Sequence, residues 1–307
     1  MIEVQGLTKR YGELVAVSDL TFKVETGRIW GLLGPNAAGK TTTMRILTGY
    51  LPATSGRAVV AGFDVFDKPN DVKRSIGYLP EVVPLYHDMT VTSYLAFVAE
   101  IKQVPKGKRK AAIARVVESA GLKDVSGRLI RNISRGYKQR VGIAQAMIHD
   151  PKVLILDEPT IGLDPAQIRE IRGIIKGLRG EHTILLSTHI LPEVTQVCDG
   201  VVIVNEGRLM ASGSLEDLAA SFEKRDGVVL NLRRAGAEEA ALLRAVPGVE
   251  NVAIEGTELR VEWSRGRDLR DDVARLALDK GLGLREMRSV AGIEDLYMKI
   301  ISGRLEQ

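Results

Sequence analysis

The sequence predicts an α/β fold with a largely parallel sheet over residues 1–220, followed by a smaller α+β domain over residues 226–307. Two observations support this prediction. Short apolar segments alternate with helical segments in the first part, and a different alternation follows a lapse in apolar periodicity around residues 221–227. The apolar segments of the first part also end in polar or glycine-bearing turns, which places chemistry at the carboxyl edge of the sheet.

Three apolar segments of the first part are predicted to be buried strands, at residues 29–33, 153–156 and 183–186. The first leads into a glycine-bearing loop and then into a helix from about residue 40 to residue 47. Residues 88–149 show few strand signals and are predicted to form a helical subdomain. Within them, the basic run at residues 106–110 is more typical of a solvated helix start or loop than of a binding patch.

The segments of the second part follow the order β-α-β-β-α-β, which predicts a small ferredoxin-like domain. Its strands are predicted at residues 228–232, 251–254, 259–263 and 284–290, and its helices at residues 238–245 and 268–280. A closing helix that bears Ile293, Leu296 and Ile300 is expected after the last strand. No chemical motif stands out in this domain.

The composition limits the classes of protein to which this chain can belong. Hydrophobic residues make up 45% of it, which allows a packed core and argues against global disorder. The net charge of +4 comes from nearly balanced basic and acidic residues, which is too mild to indicate nucleic-acid binding by itself. The single cysteine, Cys198, excludes an internal disulfide and fits a reducing cytosol. No membrane span or signal peptide is visible, so a role at a membrane requires another chain to span it.

Residues 34–41 match the phosphate-binding pattern G-x-x-x-x-G-K-[ST], with a strand before them and a helix after them. The backbone N–H groups of such a loop wrap phosphates, and the helix N-terminus adds its positive dipole end. Lys40 would contact the β- and γ-phosphates, and the Thr41 hydroxyl would ligate Mg²⁺. The alternative, a glycine-rich turn that happens to contain Lys-Thr, is disfavoured by the flanking strand and helix. The predicted nucleotide-binding residues here are Gly34, Pro35, Asn36, Ala37, Ala38, Gly39, Lys40, Thr41 and Thr42.

The apolar strand at residues 153–156 runs directly into Asp157 and Glu158, which is the form of a Walker B segment. Asp157 would hold Mg²⁺ at the end of the strand. Glu158 is the candidate general base for an attacking water, a role typically worth ~10²–10⁴-fold in rate. The alternative is a solvated strand-to-turn transition, and the phosphate loop upstream favours the functional interpretation.

A further segment separates this chain from other proteins with a phosphate loop. Residues 133–140, Ile-Ser-Arg-Gly-Tyr-Lys-Gln-Arg, precede the Walker B strand and resemble the signature motif of ABC ATPases. In that family, a serine and a glycine at a helix start bind the γ-phosphate of an ATP held by a second subunit. The resemblance implies this role for Ser134 and Gly136, while Ser134 by itself is also typical of an ordinary helix N-cap.

The resemblance covers about residues 1–215 and implies roles for three more residues. Tyr11 looks like the aromatic platform that stacks on adenine, although a tyrosine near a strand end is otherwise more often part of a core. Asp164, in Ile-Gly-Leu-Asp-Pro, resembles the polar contact of the loop that crosses the dimer interface. His189 resembles the switch histidine that reaches the γ-phosphate, whereas a lone histidine after a strand is usually structural.

Two positions depart from the family pattern. Glu81 stands where a glutamine is usual. It could still ligate Mg²⁺ but adds negative charge near the triphosphate, so we hypothesise that it favours metal retention and slows turnover. Ala37 replaces a frequent glycine of the phosphate loop, and its methyl group is tolerable if this residue takes a negative φ.

The resemblance implies the nucleotide-binding subunit of an ABC transporter, an ATPase that uses ATP and Mg²⁺, with Lys40, Glu158 and His189 as catalytic residues. The loop at residues 77–81, the signature motif and the appended domain resemble export-type ATPases, which favours export over import. Two half-sites in one chain imply an ATP-dependent, head-to-tail homodimer that drives integral membrane permease subunits. The expected location is cytoplasmic, peripheral on the inner face of the cell membrane, with no nucleic-acid partner.

Two other interpretations stay open. The pI near 9.1 suggests a soluble ABC protein that acts on nucleic acid or ribosomes, although such proteins more often carry two ATPase cassettes or coiled-coil arms. A regulatory module that binds nucleotide without hydrolysis is the other, and the presence of Glu158 and His189 argues against it. Salt-dependent binding of RNA or DNA would identify the first class, and an assay of phosphate release would identify the second.

Overall fold

A computed structural model describes residues 1–222, 225–264, 266–289 and 297. The chain divides into two compact units, Met1–Leu215 and Glu216–Gln307. Within the described ranges, no helix combines the length and the apolar character needed to cross a bilayer. The predicted closing helix with Ile293, Leu296 and Ile300 lies outside the described residues.

The first unit alternates strands and helices. Its strands are β1 (Ile2–Tyr11), β2 (Leu14–Val24), β3 (Ile29–Leu33), β4 (Ser55–Val60), β5 (Phe63–Asp64), β6 (Ile76–Leu79), β7 (Val153–Asp157), β8 (Thr183–Thr188), β9 (Gly200–Asn205) and β10 (Arg208–Ser214). Its helices are α1 (Lys40–Leu47), α2 (Pro69–Ser75), α3 (Val91–Ile101), α4 (Lys106–Ser119), α5 (Arg135–Met147), α6 (Pro165–Gly177) and α7 (Leu191–Val197), and α8 (Leu215–Phe222) spans the boundary between the units.

The central sheet of the first unit has the strand order β10-β9-β3-β8-β7-β6. Its strands pair in parallel from β9 to β6, and only β10 is antiparallel to its neighbour. Every residue of β7 and β8 is buried, as expected for strands that are covered on both faces of a parallel sheet. This arrangement confirms the predicted α/β class and the three predicted buried strands.

A second, antiparallel sheet of the first unit has the order β2-β1-β4-β5. The two sheets share one apolar core, to which Ile2 and Leu20 contribute from one sheet and Ile155 and Leu185 from the other. Met44 of α1 is fully buried in the same core. Because Met44 anchors α1 in the core, the end of the loop that precedes α1 is fixed in position.

The predicted helical subdomain contains α3, α4 and α5 with two short 3₁₀ turns. These helices pack against one another, and α5 also packs on β6 of the central sheet. The basic run at residues 106–110 forms the start of α4, and Val116 is the buried residue of that helix. The interpretation of this run as a solvated helix start is therefore confirmed.

The second unit contains the strands β11 (Arg225–Leu232), β12 (Val249–Glu255), β13 (Glu258–Ser264) and β14 (Leu284–Ser289) and the helices α9 (Ala237–Arg244) and α10 (Arg270–Asp279). The sheet is antiparallel throughout, with the order β12-β13-β11-β14. This is the order expected of the predicted ferredoxin-like arrangement. Val228, Trp263 and Val273 lie in its separate apolar core.

Candidate functional site

The phosphate loop between β3 and α1 depends on glycine at two positions. A Cβ atom on Gly34 would lie 2.2 Å from the carbonyl oxygen of Val204. Gly39 has a φ of 96°, and a Cβ atom there would lie 2.5 Å from the carbonyl oxygen of Ala16. Both contacts are with backbone atoms that cannot rotate away, so these two glycines let the loop pack closely between β9 and β2.

Lys40 opens α1 and is almost completely buried, with 6% of its surface exposed. Its ammonium group donates hydrogen bonds to the carbonyl oxygens of Gly34 at 2.8 Å and Pro35 at 3.0 Å. The same nitrogen lies 3.5 Å from Oε1 of Glu158. These contacts hold a full positive charge inside the loop, where it can meet an anionic ligand.

Ala37 takes a left-handed backbone conformation, with a φ of 64°. The methyl group of Ala37 was expected to be tolerated if this residue took a negative φ. That condition is not met. A left-handed conformation costs an L-residue other than glycine roughly 1–2 kcal/mol, because Cβ approaches the following carbonyl oxygen. The side chain itself is exposed, so the strain is confined to the backbone.

Asp157 ends β7 as a buried carboxylate with unused hydrogen-bonding capacity. Its Oδ1 accepts hydrogen bonds from the hydroxyl of Ser187 at 2.6 Å and from that of Thr41 at 3.4 Å. Its Oδ2 is buried and has no hydrogen-bond partner among the described residues. A buried, unpaired carboxylate oxygen is costly, and Mg²⁺ prefers hard oxygen ligands. The pair Thr41 and Asp157 therefore fits a Mg²⁺ ion.

Glu158 follows Asp157 and is also buried, with 6% of its surface exposed. Its backbone N–H donates to the hydroxyl of Ser187 at 2.9 Å, and its Oε2 lies 3.0 Å from Nδ1 of His189. Its φ is 47°, a conformation that typically costs a non-glycine residue about 1–3 kcal/mol and is found mainly at functional sites. The carboxylate thus lies between Lys40 and His189.

Tyr78 of β6 lies near this acidic strand end. Burial, followed by the negative charge of Asp157, raises the pKa of the Tyr78 phenol to about 12. Its hydroxyl is therefore neutral at physiological pH.

A cavity of about 550 Å³, a size suited to a small organic ligand, lies beside Lys40 and Glu158, and Asp157 and Tyr78 are not among its lining residues. The predicted residues from Asn36 to Thr42 line it, together with Glu81, Glu158 and His189. Gly34 and Pro35 contribute through the carbonyl groups that hold Lys40. Ala16 and Ile161 also line the cavity, and no site role had been predicted for either.

The second predicted group of residues lies at a different place on the first unit. Ser134 is the N-cap of α5, and its side chain accepts a hydrogen bond from the Tyr137 N–H at 3.4 Å. Asp164 is the N-cap of α6 and accepts from the N–H groups of Ala166 and Gln167, each at 2.9 Å. Ser134, Gly136 and Asp164 line a cavity of about 260 Å³ that shares no lining residue with the larger one.

Tyr11 does not line the larger cavity. It lies at the end of β1, in the hairpin with β2, and 45% of its surface is exposed. The ammonium group of Lys9 lies 5.2 Å from the centroid of its ring. The alternative of a core tyrosine is thus wrong, and the stacking role stays a prediction.

Sequence reasoning missed Glu193, a buried carboxylate on α7 that accepts hydrogen bonds from the hydroxyl groups of Thr160 and Thr188. An acidic residue in the first turn of a helix is common, because it complements the helix dipole. The pattern therefore did not distinguish Glu193 from many other glutamates.

Comparisons with known proteins agree with this architecture. A family model described as "ABC transporter" matches residues 17–161. The chain is 33% identical over 306 residues, 98% of its length and 99% of the relative's, to the "Uncharacterized ABC transporter ATP-binding protein YxlF" of Bacillus subtilis (strain 168). It is 35% identical over 312 residues, 99% of its length and 98% of the relative's, to the "Bacitracin transport ATP-binding protein BcrA" of Bacillus licheniformis.

A solved structure described as "Structure of ATP binding subunit of ABC transporter" superimposes on 72% of this chain and 93% of its own, with a TM-score of 0.66 and 30% sequence identity.

Proposed function

The chain belongs to the ABC transporter family of ATP-binding proteins and is an ATPase, and on this premise we propose that it powers export through separate membrane subunits. The observation that carries the proposal is the contact set of Glu158, which joins the lysine of the phosphate loop to His189 across 3.5 Å and 3.0 Å. The proposal is supported because Lys40, Glu158 and His189, to which we assign the roles of phosphate-binding cation, general base and transition-state ligand, line one cavity.

ATP binds, in this proposal, with its phosphates in the loop of residues 34–41. The backbone N–H groups at the start of α1 and the Lys40 ammonium group face the triphosphate charge. The hydroxyl of Thr41 and the carboxylate of Asp157 would hold Mg²⁺, and Glu81, which lines the cavity together with Thr41, would be a third oxygen donor. When bound, such an ion would neutralise part of the negative charge of the phosphates.

Hydrolysis follows from the position of Glu158. Its carboxylate orients a water molecule and accepts a proton from it as the water oxygen attacks the γ-phosphorus. The bond between that phosphorus and the β,γ-bridging oxygen breaks, and ADP leaves with the electron pair. His189 contacts the same carboxylate and stabilises charge on the transferred phosphoryl group.

The separate cavity at Ser134, Gly136 and Asp164 supports a dimer. The N-terminus of α5 presents backbone N–H groups and a dipole suited to an anion. Since this cavity shares no residue with the phosphate loop cavity, one copy completes its sites with the signature residues of a second copy, head-to-tail. Closure on two ATP molecules and reopening after hydrolysis would supply the motion.

Export is supported by the named relative that matches the chain over nearly its full length, a bacitracin transport protein. We propose that this chain powers the export of a compound of the drug type, from the cytoplasmic face of the cell membrane, with permease subunits supplied by other chains. The chemical identity of that compound follows from the membrane subunits rather than from this chain.

The test of the proposed function is the Glu158→Gln variant. We expect it to bind ATP as the wild type does and to release phosphate at least ~10²-fold more slowly, because the general base is lost. Gel filtration with ATP and Mg²⁺ should then show a stable dimer. Glu118→Gln is a suitable control, since Glu118 is an exposed carboxylate that pairs with Lys123 on the helical subdomain. Unchanged hydrolysis in Glu158→Gln, or a monomer with bound ATP, would contradict the proposal.

A further inference from the structure

A buried network centred on Glu193 lies behind the candidate catalytic residues. Glu193 is on α7, has 3% of its surface exposed, and uses both carboxylate oxygens. Oε1 accepts a hydrogen bond from the hydroxyl of Thr160, and Oε2 accepts one from that of Thr188 at 2.6 Å. A buried carboxylate is costly unless it is paired, and here each oxygen has a hydroxyl partner.

On one side, this network fixes the backbone that carries His189. The hydroxyl of Thr188 donates to Glu193 and accepts a hydrogen bond from the Ile190 N–H at 3.0 Å. The two residues that flank His189 are therefore joined through a single oxygen atom. This leaves the peptide units around His189 little freedom.

On the other side, the network fixes the turn that carries Glu158. Thr160 lies in this turn, where the Ile161 N–H donates to the carbonyl oxygen of Glu158 at 3.2 Å. The hydroxyl of Thr160 ties the turn to Glu193. Since the φ of Glu158 is 47°, the turn is strained and needs outside contacts to keep its shape.

The charge of Glu193 has a partner on α6. Nη2 of Arg172 lies 3.8 Å from Oε1 of Glu193, and Nη1 of Arg172 donates to the side chain of Gln196 at 2.5 Å. The guanidinium group is largely buried, and its Nε has no hydrogen-bond partner among the described residues. Arg172 thus compensates the charge of Glu193 at Oε1, the oxygen that also accepts from the hydroxyl of Thr160.

We propose that Glu193 is a positioning residue for ATP hydrolysis, one that holds the turn of Glu158 and the segment of His189 at the separation at which their side chains meet. The inference rests on the proposed roles of Glu158 and His189. Glu193 does not line the nucleotide cavity, so it acts through the hydroxyl groups of Thr160 and Thr188. A displacement of ~1 Å between catalytic groups can lower the rate about 10²-fold. The hydrogen bonds of Glu193 to Thr160 and Thr188 can therefore affect the rate of hydrolysis.

The proposal predicts a loss of kcat without a loss of ATP binding. In the full-length chain with ATP and Mg²⁺, Glu193→Gln should lower kcat by roughly 10-fold and Glu193→Ala by roughly 10²-fold, with KM changed by less than about two-fold. Gln is expected to be milder because it keeps the length of the side chain and one acceptor oxygen. Asp199→Asn is the control, since Asp199 accepts from the Ile29 N–H at 2.8 Å at the opposite end of the sheet. It should alter stability and leave kcat within about two-fold.

Thr188→Val and Thr160→Val provide a second route that keeps the Glu193–Arg172 pair. Each removes one hydroxyl group and retains the shape of the side chain, so each should lower kcat by roughly 10-fold. The decisive measurement is a double-mutant cycle with His189→Ala. If Thr188 acts through His189, then Thr188→Val should lower kcat by less than about two-fold in the His189→Ala variant. A merely structural role would lower kcat by the same factor in the wild type and in His189→Ala.

The outcomes distinguish a failure of the proposed function from a failure of the positioning role of Glu193. If Glu158→Gln and His189→Ala hydrolyse ATP like the wild type, the proposed function fails. If both lose activity while the folded Glu193 and threonine variants keep the wild-type kcat, only the positioning role is overturned. Multiplicative effects in the cycle would also overturn it.

Discussion

At the scale of single residues, the phosphate loop contains a strained position that the motif does not require. Ala37 has a φ of 64°, a region in which glycine is free of the Cβ clash. We predict that Ala37→Gly raises the free energy of unfolding by up to about 1 kcal/mol. This value is the backbone strain that glycine relieves, reduced by the extra conformational entropy that glycine gives the unfolded chain. Chemical denaturation checks this, with KM for ATP expected to change little.

Ala38→Gly is the matched control for Ala37→Gly. Ala38 is the next residue, is buried, and is not among the residues with positive φ. Glycine there should lower the free energy of unfolding by about 0.5–1 kcal/mol. Equal destabilisation by both substitutions would contradict the strain at Ala37.

Glu81 is the second residue whose chemistry departs from the family pattern. It is exposed and lines the same cavity as Thr41 and Glu158. An added charge near a metal ion in a solvated setting is worth about 1 kcal/mol. Loss of about 1 kcal/mol corresponds to roughly five-fold weaker binding, so we predict that Glu81→Gln needs roughly five-fold more Mg²⁺ for half-maximal hydrolysis. At saturating Mg²⁺ the variant should hydrolyse ATP faster than the wild type.

A titration of the ATPase rate with Mg²⁺ at constant ATP measures the effect of Glu81→Gln. Glu206→Gln serves as the control, because Glu206 does not line the cavity. Identical Mg²⁺ dependence of Glu81→Gln and the wild type would defeat the hypothesis.

At the scale of elements, α5 connects the signature residues to the edge of the central sheet. Ser134 caps its start, and Gln145 near its end donates to the carbonyl oxygen of Tyr78 at 3.0 Å. Just beyond the helix, Nε2 of His149 lies 3.0 Å from the carbonyl oxygen of Ile76. Both contacts are with β6, the strand that precedes Glu81. A shift of α5 would therefore move β6 and the segment after it that contains Glu81.

The contact of His149 predicts a pH dependence of stability. Burial, followed by the positive charge of Lys102, lowers the pKa of the His149 imidazole to about 4. The native state therefore favours the neutral ring. The contribution of His149 to the free energy of unfolding is complete above pH ~6.5 and is lost as the pH falls toward 4. Allowing for partial exposure, the loss is on the order of 1–2 kcal/mol.

His149→Gln removes this titration while keeping a hydrogen-bond donor toward Ile76. We expect the variant to lose less free energy of unfolding than the wild type between pH 6.5 and pH 4.5. Urea denaturation at several pH values measures it, and His87→Gln, at an exposed histidine, is the control. Parallel pH profiles of His149→Gln and the wild type would count against the burial of a neutral ring.

At the scale of the whole molecule, the two units have separate apolar cores. The cavity lined by the phosphate loop lies in the first unit. We predict two thermal transitions, of which ATP with Mg²⁺ shifts only the one that belongs to the first unit. At 100 times Kd, a bound ligand adds about 2.7 kcal/mol, or roughly 5–10 °C for a unit of this size. Calorimetry of Glu158→Gln, in which hydrolysis is slow, is the measurement.

A single transition that moves as a whole with ATP would contradict independent units. The domain boundary near residue 220 stays a prediction until such an experiment, as do the roles of the individual site residues. A variant with Lys40→Ala supplies the control, because its first transition should no longer respond to ATP.

Much of the fold and half of the site followed from local patterns. The strand at β3, the loop, the helix α1 and the pair Asp157 and Glu158 are each contiguous in sequence, so backbone geometry and periodicity predict them without knowledge of the fold. The strands and helices of the second unit were predicted on the same basis. The antiparallel sheet that contains β1 and β4 had not been predicted.

What the sequence determined by itself was the identity of the phosphate loop, the acidic strand end and the α/β class. Only the tertiary structure decided that Ala37 has a left-handed backbone, that Ala16 lines the same cavity as the phosphate loop, and that Glu193 joins the segments of Glu158 and His189. The physical reason is that a motif acts through neighbours along the chain, whereas these contacts join residues that the order of strands in the sheet brings together. That order depends on which apolar faces pack, and no short segment carries this information.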